Sequence, residues 1–424
     1  MPIFNAPFST SVFMPPFWVT SETVSVQENN TTVTTLDAGN VTQYSIVGGV
    51  DASKFSISGS TLSFTSAPDF EAPTDSGTNN IYDVTIRATN PAGFADRSLA
   101  VTVTNDTSDD AALIINGVTH YLTSSDYSVG NGTDRQGTRT GSLITLTVPA
   151  AVQCWVYMWG GGGAAGDDNG GGAGFSSGRI TFQPNTNYRL LVAGGGGGTY
   201  GSGSPDGGYG GGGSDGNTGG SNGSSFGNGG SGIRHGSYSG SQGGGGGGCS
   251  GLFLGTGTST PLLIAGGGGG GSGGPSSWEN GGTGGGTNGY PNVNGTQRHG
   301  GGGTQSQGGV GNNTGNASSG GSGYGGKGGL QYLASNVYSG GGGGGGYYGG
   351  GGGAGDSSSG GGGGGSGYIN SSYITSGFTA GNGNFNQAAY TTTGLTQYYA
   401  TNVGKGGQSS HQPGYGGRIY IRLV

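Results

Sequence analysis

The chain is predicted to be all-β: a small sandwich, followed by a glycine-rich domain of β-strands and packed, extended glycine helices. Three observations carry that expectation. Short stretches between about Val24 and Asp106 alternate polar and apolar residues and are separated by Gly, Asn, Asp and Pro clusters. The chain holds 113 Gly in 424 residues, far above the usual share of about 7%. The glycine tract is also bracketed by alternating strands, one group near Leu143–Trp159 and one at Gly417–Val424, which suggests a closed unit and not a trailing linker.

Composition narrows the function classes. Only 8% of residues are charged, whereas solvated disorder usually carries high net charge. The formal charge is −7, with 13 Lys+Arg against 20 Asp+Glu and no basic cluster, so no nucleic-acid partner is expected. The N-terminal MPIFNAPFSTSVFMPPFW lacks the basic and apolar regions of a secretory signal, and no window reaches transmembrane length. Membrane insertion is not expected. Cys154 and Cys249 are read as two free thiols, since two cysteines define neither a disulfide scaffold nor a zinc site.

Taken in order, residues 1–21 form an aromatic, proline-rich arm (Phe4, Phe8, Phe13, Phe17, Trp18), suited to docking on a neighbour or packing on the next domain. Strands are predicted at Thr23–Gln27, Gln43–Val47, Thr61–Thr65, Tyr82–Ala88 and Ser98–Thr104, giving a sandwich over 22–106. Residues 107–141 are expected to be a connector. Within it, Ala111–Ile115 and Val118–Leu122 flank Asn116-Gly117, the favoured two-residue hairpin turn. From 142 to 424 runs the glycine-rich domain, with strands at Ile144–Pro149, Val152–Trp159, Arg179–Phe182 and Tyr188–Val192. Leu190-Leu191-Val192-Ala193 enters Gly194–Gly198, and Leu262-Leu263-Ile264-Ala265 enters Gly266–Gly271 in the same way.

The glycine runs admit two readings. Glycine loses the most backbone entropy on folding, which favours disorder. Three-residue-per-turn helices packed so closely that no side chain fits would instead require glycine. The runs are short and punctuated by Tyr, Phe, Trp, Asn and Ser, unlike a plain Gly-Ser linker.

Two resemblances follow from specific residues. Val26-Gln27-Glu28-Asn29, Tyr44-Ser45-Ile46, Gly48–Ile57, Leu62-Ser63-Phe64, Ala67–Glu71 and Asn80–Asn90 together resemble bacterial and phage cadherin-like domains. That resemblance implies a β-sandwich and, at Glu28, Asp69 and Glu71, calcium held by oxygen ligands. The sequence departs from the family at Asn90, where Asp is usual, and at Asn105–Asp110, in place of the family's linker. Secondly, Thr147-Val148-Pro149-Ala150, the Trp159-Gly160 exit, Leu191-Val192-Ala193-Gly194 and Gly416–Arg422 resemble the glycine-rich domain of phage tail-fibre and other virion proteins. This implies packed polyglycine II helices with loops projecting at their ends.

No enzyme is expected. The Gly-x-Gly-x-x-Gly matches do not open a helix after a strand, Lys327 and Lys405 lack a following Ser/Thr, and the four histidines have no metal-ligand spacing. A contact surface is expected instead in the glycine-poor segment Tyr368–Val403, read as a projecting loop. Its candidate residues are Tyr368, Tyr373, Phe378, Phe385, Tyr390, Tyr398 and Tyr399, since rings beside Ser, Asn and Gly make adaptable contacts. The alternative is that these rings cap the glycine layers or face another subunit. The functional expectation is a virion tail-fibre or tip adhesin that binds a host surface receptor, a saccharide or an outer-membrane protein, and assembles as an oligomer with other virion subunits. The alternative is a structural subunit of a shell or filament.

Overall fold

A computed structural model describes residues 14–106, 110–122, 126–130, 143–198, 213–216, 226–233, 242–274, 279–291, 298–312, 314–328, 330–333, 336–356, 359–381, 388, 402–408 and 411–424. The chain divides into two units, Met1–Asp110 and Ala111–Val424. Both are built from strands, and among the described residues the helical elements are two short 3-10 turns, Ala52–Lys54 and Thr314–Asn316.

The first unit contains β1 (Phe17–Trp18), β2 (Thr23–Gln27), β3 (Thr32–Thr35), β4 (Ala38–Gly39), β5 (Gln43–Gly48), β6 (Phe55–Ser58), β7 (Thr61–Phe64), β8 (Ile81–Asn90) and β9 (Gly93–Thr104). One sheet has the order β2-β9-β8-β5, a second β3-β7-β6, and β1 pairs with β4. Alternation places Tyr82, Val84, Ile86 and Ala88 of β8 on the buried face. They pack with Leu62, Phe64, Leu99, Val101 and Val103 in one core, except Ala88, which is buried beside it. The β8–β9 turn explains the departure at Asn90. Its Oδ1 accepts the Ala92 and Gly93 N–H groups, while its Nδ2 donates to the Met14 and Asn40 carbonyls, both at 2.7 Å. An aspartate carboxylate would accept the first pair but has no proton for the second.

The second unit opens with the hairpin β10 (Ala112–Ile115) and β11 (Val118–Tyr121), so these residues belong to its sheet and are not a separate connector. Asn116 and Gly117 both take positive φ, as the two-residue turn requires. There follow β12 (Tyr127–Val129), β13 (Ile144–Thr147), β14 (Val152–Trp159), β15 (Phe175–Phe182), β16 (Tyr188–Leu191), β17 (Gly213–Gly216), β18 (Ser231–Ile233), β19 (Ser250–Leu254), β20 (Thr260–Ala265), β21 (Leu330–Leu333), β22 (Asn336–Ser339), β23 (Tyr368–Ile369), β24 (Ile374–Ala380) and β25 (Arg418–Leu423). A seven-stranded sheet runs β11-β10-β13-β16-β19-β20-β23, and a five-stranded sheet β12-β25-β14-β15-β24. Their facing residues form one core: Leu113, Leu146, Leu190, Leu252 and Leu263 from the first, Cys154, Val156, Met158, Ile180, Ile419 and Ile421 from the second. The C-terminal strand inserts between β12 and β14, pairing Ile419 with Met158 and Ile421 with Val156.

The glycine runs leave these sheets and are buried. Each amide from Gly267 to Gly271 donates to another run, and each carbonyl accepts from one. Residues three apart address the same neighbour: Gly267 and Gly270 donate to Gly345 and Gly342, while Gly268 and Gly271 donate to Gly161 and Ala164. Likewise Gly365 and Gly362 donate to the Gly267 and Gly270 carbonyls, and Gly247 and Gly244 to those of Gly268 and Gly271. A Cβ on any of Gly267–Gly271 would lie closer than 3.0 Å to backbone of an adjoining run. The absence of side chains is therefore what lets the backbones meet and bond.

Where these runs end, polar side chains take the place of backbone partners. Asp168 accepts from Ser272 Oγ (2.9 Å) and the Glu279 N–H (3.1 Å), and Asp167 accepts the Gly274 N–H (2.7 Å) and lies 3.4 Å from His411 Nε2. Burial pushes both carboxyl pKa values up.

Cys154 and Cys249 are both free and buried, and burial pushes each thiol up to about 12. Neither thiol is expected to react with Ellman's reagent in the folded chain at mildly alkaline pH, because the thiolate is the reactive form. Both are expected to react at once after denaturation; rapid labelling of either in the native protein would contradict this packing.

Candidate cation site and contact residues

Glu28 follows β2 directly, with its N–H bonded to the Thr104 carbonyl at the end of β9. Its side chain is almost fully buried and is held by two backbone donors: Phe70 N–H to Oε2 and Asp106 N–H to Oε1, each 2.7 Å. The carboxylate thus ties the loop after β7 to the exit of β9. Asp69 Oδ1 accepts from the Glu71 and Ala72 N–H groups at 3.0 and 3.1 Å, which turns the loop and fixes its own orientation. One oxygen from each of Glu28, Asp69 and Glu71 lies within 4.8 Å of the others. Two oxygens that share a calcium ion at about 2.4 Å each can be at most about 5 Å apart, so this spacing fits a single ion.

Two further residues are joined to this set by hydrogen bonds. Asn105 Nδ2 donates to Glu71 Oε1 (2.8 Å) and to Asp110 Oδ1 (3.2 Å), and Asp110 is buried. The only signal for them was the acidic, amide-bearing stretch Asn105–Asp110, which looked like a departure from the family linker. The donor set is all oxygen and carries no His or Cys, which suits a hard cation and not zinc.

Electrostatics point the same way. Loss of water, a hydrogen bond shared with Asp110, and the charges of Glu28 and Asp110 raise the Glu71 pKa from 4.5 to about 7. The folded state then holds a proton that the unfolded chain releases. Stability from this proton is complete below 4.5 and is lost as pH rises towards about 7. Thermal melts of the first unit in a chelator should therefore show a midpoint that falls across that window. Calcium should flatten the slope by replacing the proton, and an unchanged slope in calcium would argue against binding here.

The contact residues are dispersed. Tyr368, in β23, pairs its strand with Leu263 and Ile264 and stacks on Tyr347 at 4.0 Å between ring centroids. It packs against Leu191, Cys249, Phe253 and Ile264, so its ring is part of the scaffold. Tyr373 and Phe378 are 46% and 42% exposed. Phe378 sits in β24, paired with Ser177. The expected projecting loop is thus, over Tyr368–Ala380, two sheet-edge strands anchored by buried Ile374. Val403, at its far end, is fully buried. Phe385, Tyr390, Tyr398 and Tyr399 lie outside the described residues.

No family model matches the chain, and no curated protein does. Among solved structures, the extracellular cadherin domains 1–4 of protocadherin gamma B7 are similar over 34% of this chain and 36% of that one, at 15% identity and a TM-score of 0.19. The chain therefore spans about a third of that structure, and a likeness of this degree carries no weight for fold or function.

Proposed function

We propose that this chain is a non-enzymatic phage virion protein, a tail-fibre or tip adhesin, that binds a host surface saccharide or outer-membrane protein from a polyglycine II scaffold. The observation that carries the proposal is the bonding of Gly267–Gly271. Every amide and carbonyl there is satisfied by neighbouring runs, with a repeat of three residues. That repeat is the one a three-per-turn extended helix requires. Such a lattice is stiff because a shift in one run breaks bonds to several others. Stiffness is what a surface needs to present contacts at low entropic cost. The resemblance of the Thr147–Ala150, Trp159-Gly160 and Gly416–Arg422 segments to virion glycine-rich domains supports the location.

The first unit serves as a spacer or attachment module. Glu28, Asp69 and Glu71 hold calcium there, and the ion neutralises the acids joined by Asn105. In this reading the chain works as an oligomer beside other virion subunits. The alternative, a structural shell or filament subunit, is favoured by Met14, Phe17 and Val19 of the 1–21 arm, which are 58%, 55% and 60% exposed. Gold-labelled antibody on intact particles separates the two. Label at a fibre tip, with loss of adsorption, is expected; label repeating over a shell would favour the subunit role, and no label on particles would sink both.

A further inference from the structure

The first unit holds a cavity of about 90 Å³ between the 3-10 turn at Ala52–Lys54, the end of β7 and the loop that follows it. Its inner surface is apolar. Phe64 and Tyr82 are buried there and meet edge-on at 5.1 Å between ring centroids, beside buried Pro68. Its mouth is formed by exposed Ser66, Asp69, Ala72 and Thr74 and by half-buried Lys54, so the cavity opens to solvent. Hydrogen bonds fix its walls. The Lys54 carbonyl accepts the Thr65 N–H (2.8 Å), the Pro68 carbonyl accepts the Asn29 N–H (3.0 Å), and the Tyr82 hydroxyl accepts the Thr74 N–H (3.1 Å). Asp69 is held in place by the Glu71 and Ala72 N–H groups.

The charges at the mouth select the ligand. The cationic side chains of the first unit are Lys54, Arg87 and Arg97. Arg87 pairs with Asp96 and Arg97 with Glu22, whereas Lys54 makes no ion pair among the described residues. Lys54 and Asp69 therefore line one small cavity with opposite charges and do not bridge each other. A lone carboxylate would be repelled by Asp69, and a lone ammonium by Lys54. A small neutral group that carries both an acceptor and a donor satisfies the two together.

We infer that this cavity binds the acetamido group of an N-acetylated sugar. The methyl group packs on Phe64 and Tyr82, the carbonyl oxygen accepts from the Lys54 ammonium, and the amide N–H donates to Asp69. The volume equals the share of about three waters in the liquid, which suits an acetamido group and excludes a whole sugar ring. The ring stays at the mouth, where Ser66 and Thr74 offer hydroxyls to its own. An acetylated lysine carries the same group on a long apolar stem, which this polar mouth does not cover. The inference rests on the proposed attachment role only for the kind of ligand, and it gives the first unit a part in recognition.

The test is a saturation-transfer NMR titration of the purified full chain with N-acetylglucosamine and with N-acetylgalactosamine. Chelator is present, so that no cation competes for Asp69. Glucose, glucosamine and a peptide bearing Nε-acetyl-lysine are the controls. At least one N-acetyl sugar is expected to bind, with its methyl protons saturated more strongly than its ring protons. Lys54→Met keeps the stem but removes the donor, and should weaken Kd about tenfold or more, as loss of a charge-assisted hydrogen bond requires. Ala72→Phe should abolish binding by filling the mouth, and either variant stands in if the other fails to fold. Failure of both N-acetyl sugars to bind overturns the inference, as do equal binding of glucose or glucosamine and an unchanged Kd in the variants. Tighter binding of the acetyl-lysine peptide would overturn the sugar in favour of an acetylated protein segment. Sugar binding with label repeating over a shell would refute the attachment role alone; label at a fibre tip without sugar binding would refute this inference alone.

Discussion

Gly269→Ala is expected to destabilise the second unit by about 3 kcal/mol or more, a large effect for one methyl group. The new Cβ would lie 2.5 Å from the Gly362 carbonyl carbon and 2.8 Å from the Gly363 oxygen. Both are backbone atoms, so no rotamer change relieves the overlap. The run must move, yet Gly269 donates to Gly282 and accepts from Gly171, each at 2.8 Å, and a displacement strains both bonds. Its neighbours Gly268 and Gly270 are held to other runs and would be dragged along. Gly257→Ala is the matched control, because a Cβ there meets nothing within 4 Å. That change should stay within about 0.5 kcal/mol, as surface substitutions do. Denaturant midpoints read from the fully buried Trp159 would measure both. Equal, small effects would mean that the runs are not tightly packed.

Glu28→Ala is the second large change, expected to cost the first unit about 3 kcal/mol. The side chain accepts two backbone N–H groups, from Phe70 and Asp106, and alanine leaves both without their acceptor. An unsatisfied buried donor costs about 1–3 kcal/mol each. The loss should appear with or without calcium, since the two bonds belong to the protein itself. Glu71→Gln separates structure from ion binding. It should change stability little in chelator, remove the fall in stability towards about pH 7, and abolish the rise in Tm on adding calcium. If Glu71→Gln kept the full calcium response, the ion would lie elsewhere.

Much of the strand pattern was legible because it rests on alternation. In β8, the order Tyr82, Val84, Ile86, Ala88 marks the buried face without ambiguity, and Asn116-Gly117 marks the β10–β11 hairpin. The entries Leu190–Ala193 and Leu262–Ala265 likewise announced where glycine runs leave the sheets. What could not be read was which run bonds to which. A run of identical residues has no side chain to set register, so the pairing of Gly267 with Gly345 is fixed by the strands and turns at either end. The span Tyr368–Ala380 was misread for a related reason. Its scarcity of glycine suggested a loop beyond the lattice, but Ile374 buries in the core and β23 and β24 complete the two sheets. At the cation site, the three acids were expected only through the resemblance to cadherin-like domains. Asp110 was not, because its approach to Glu71 through Asn105 depends on how the chain leaves β9.

Hydrogen exchange across Gly266–Gly271 tests the central claim most directly, that the glycine tract is an ordered, mutually bonded array. Peptic fragments covering this run should hold their amide protons nearly as long as those covering β14 and β25, since opening one run breaks bonds to its neighbours. Exchange within seconds, at the rate of a flexible glycine linker, would contradict the account and return the tract to disorder.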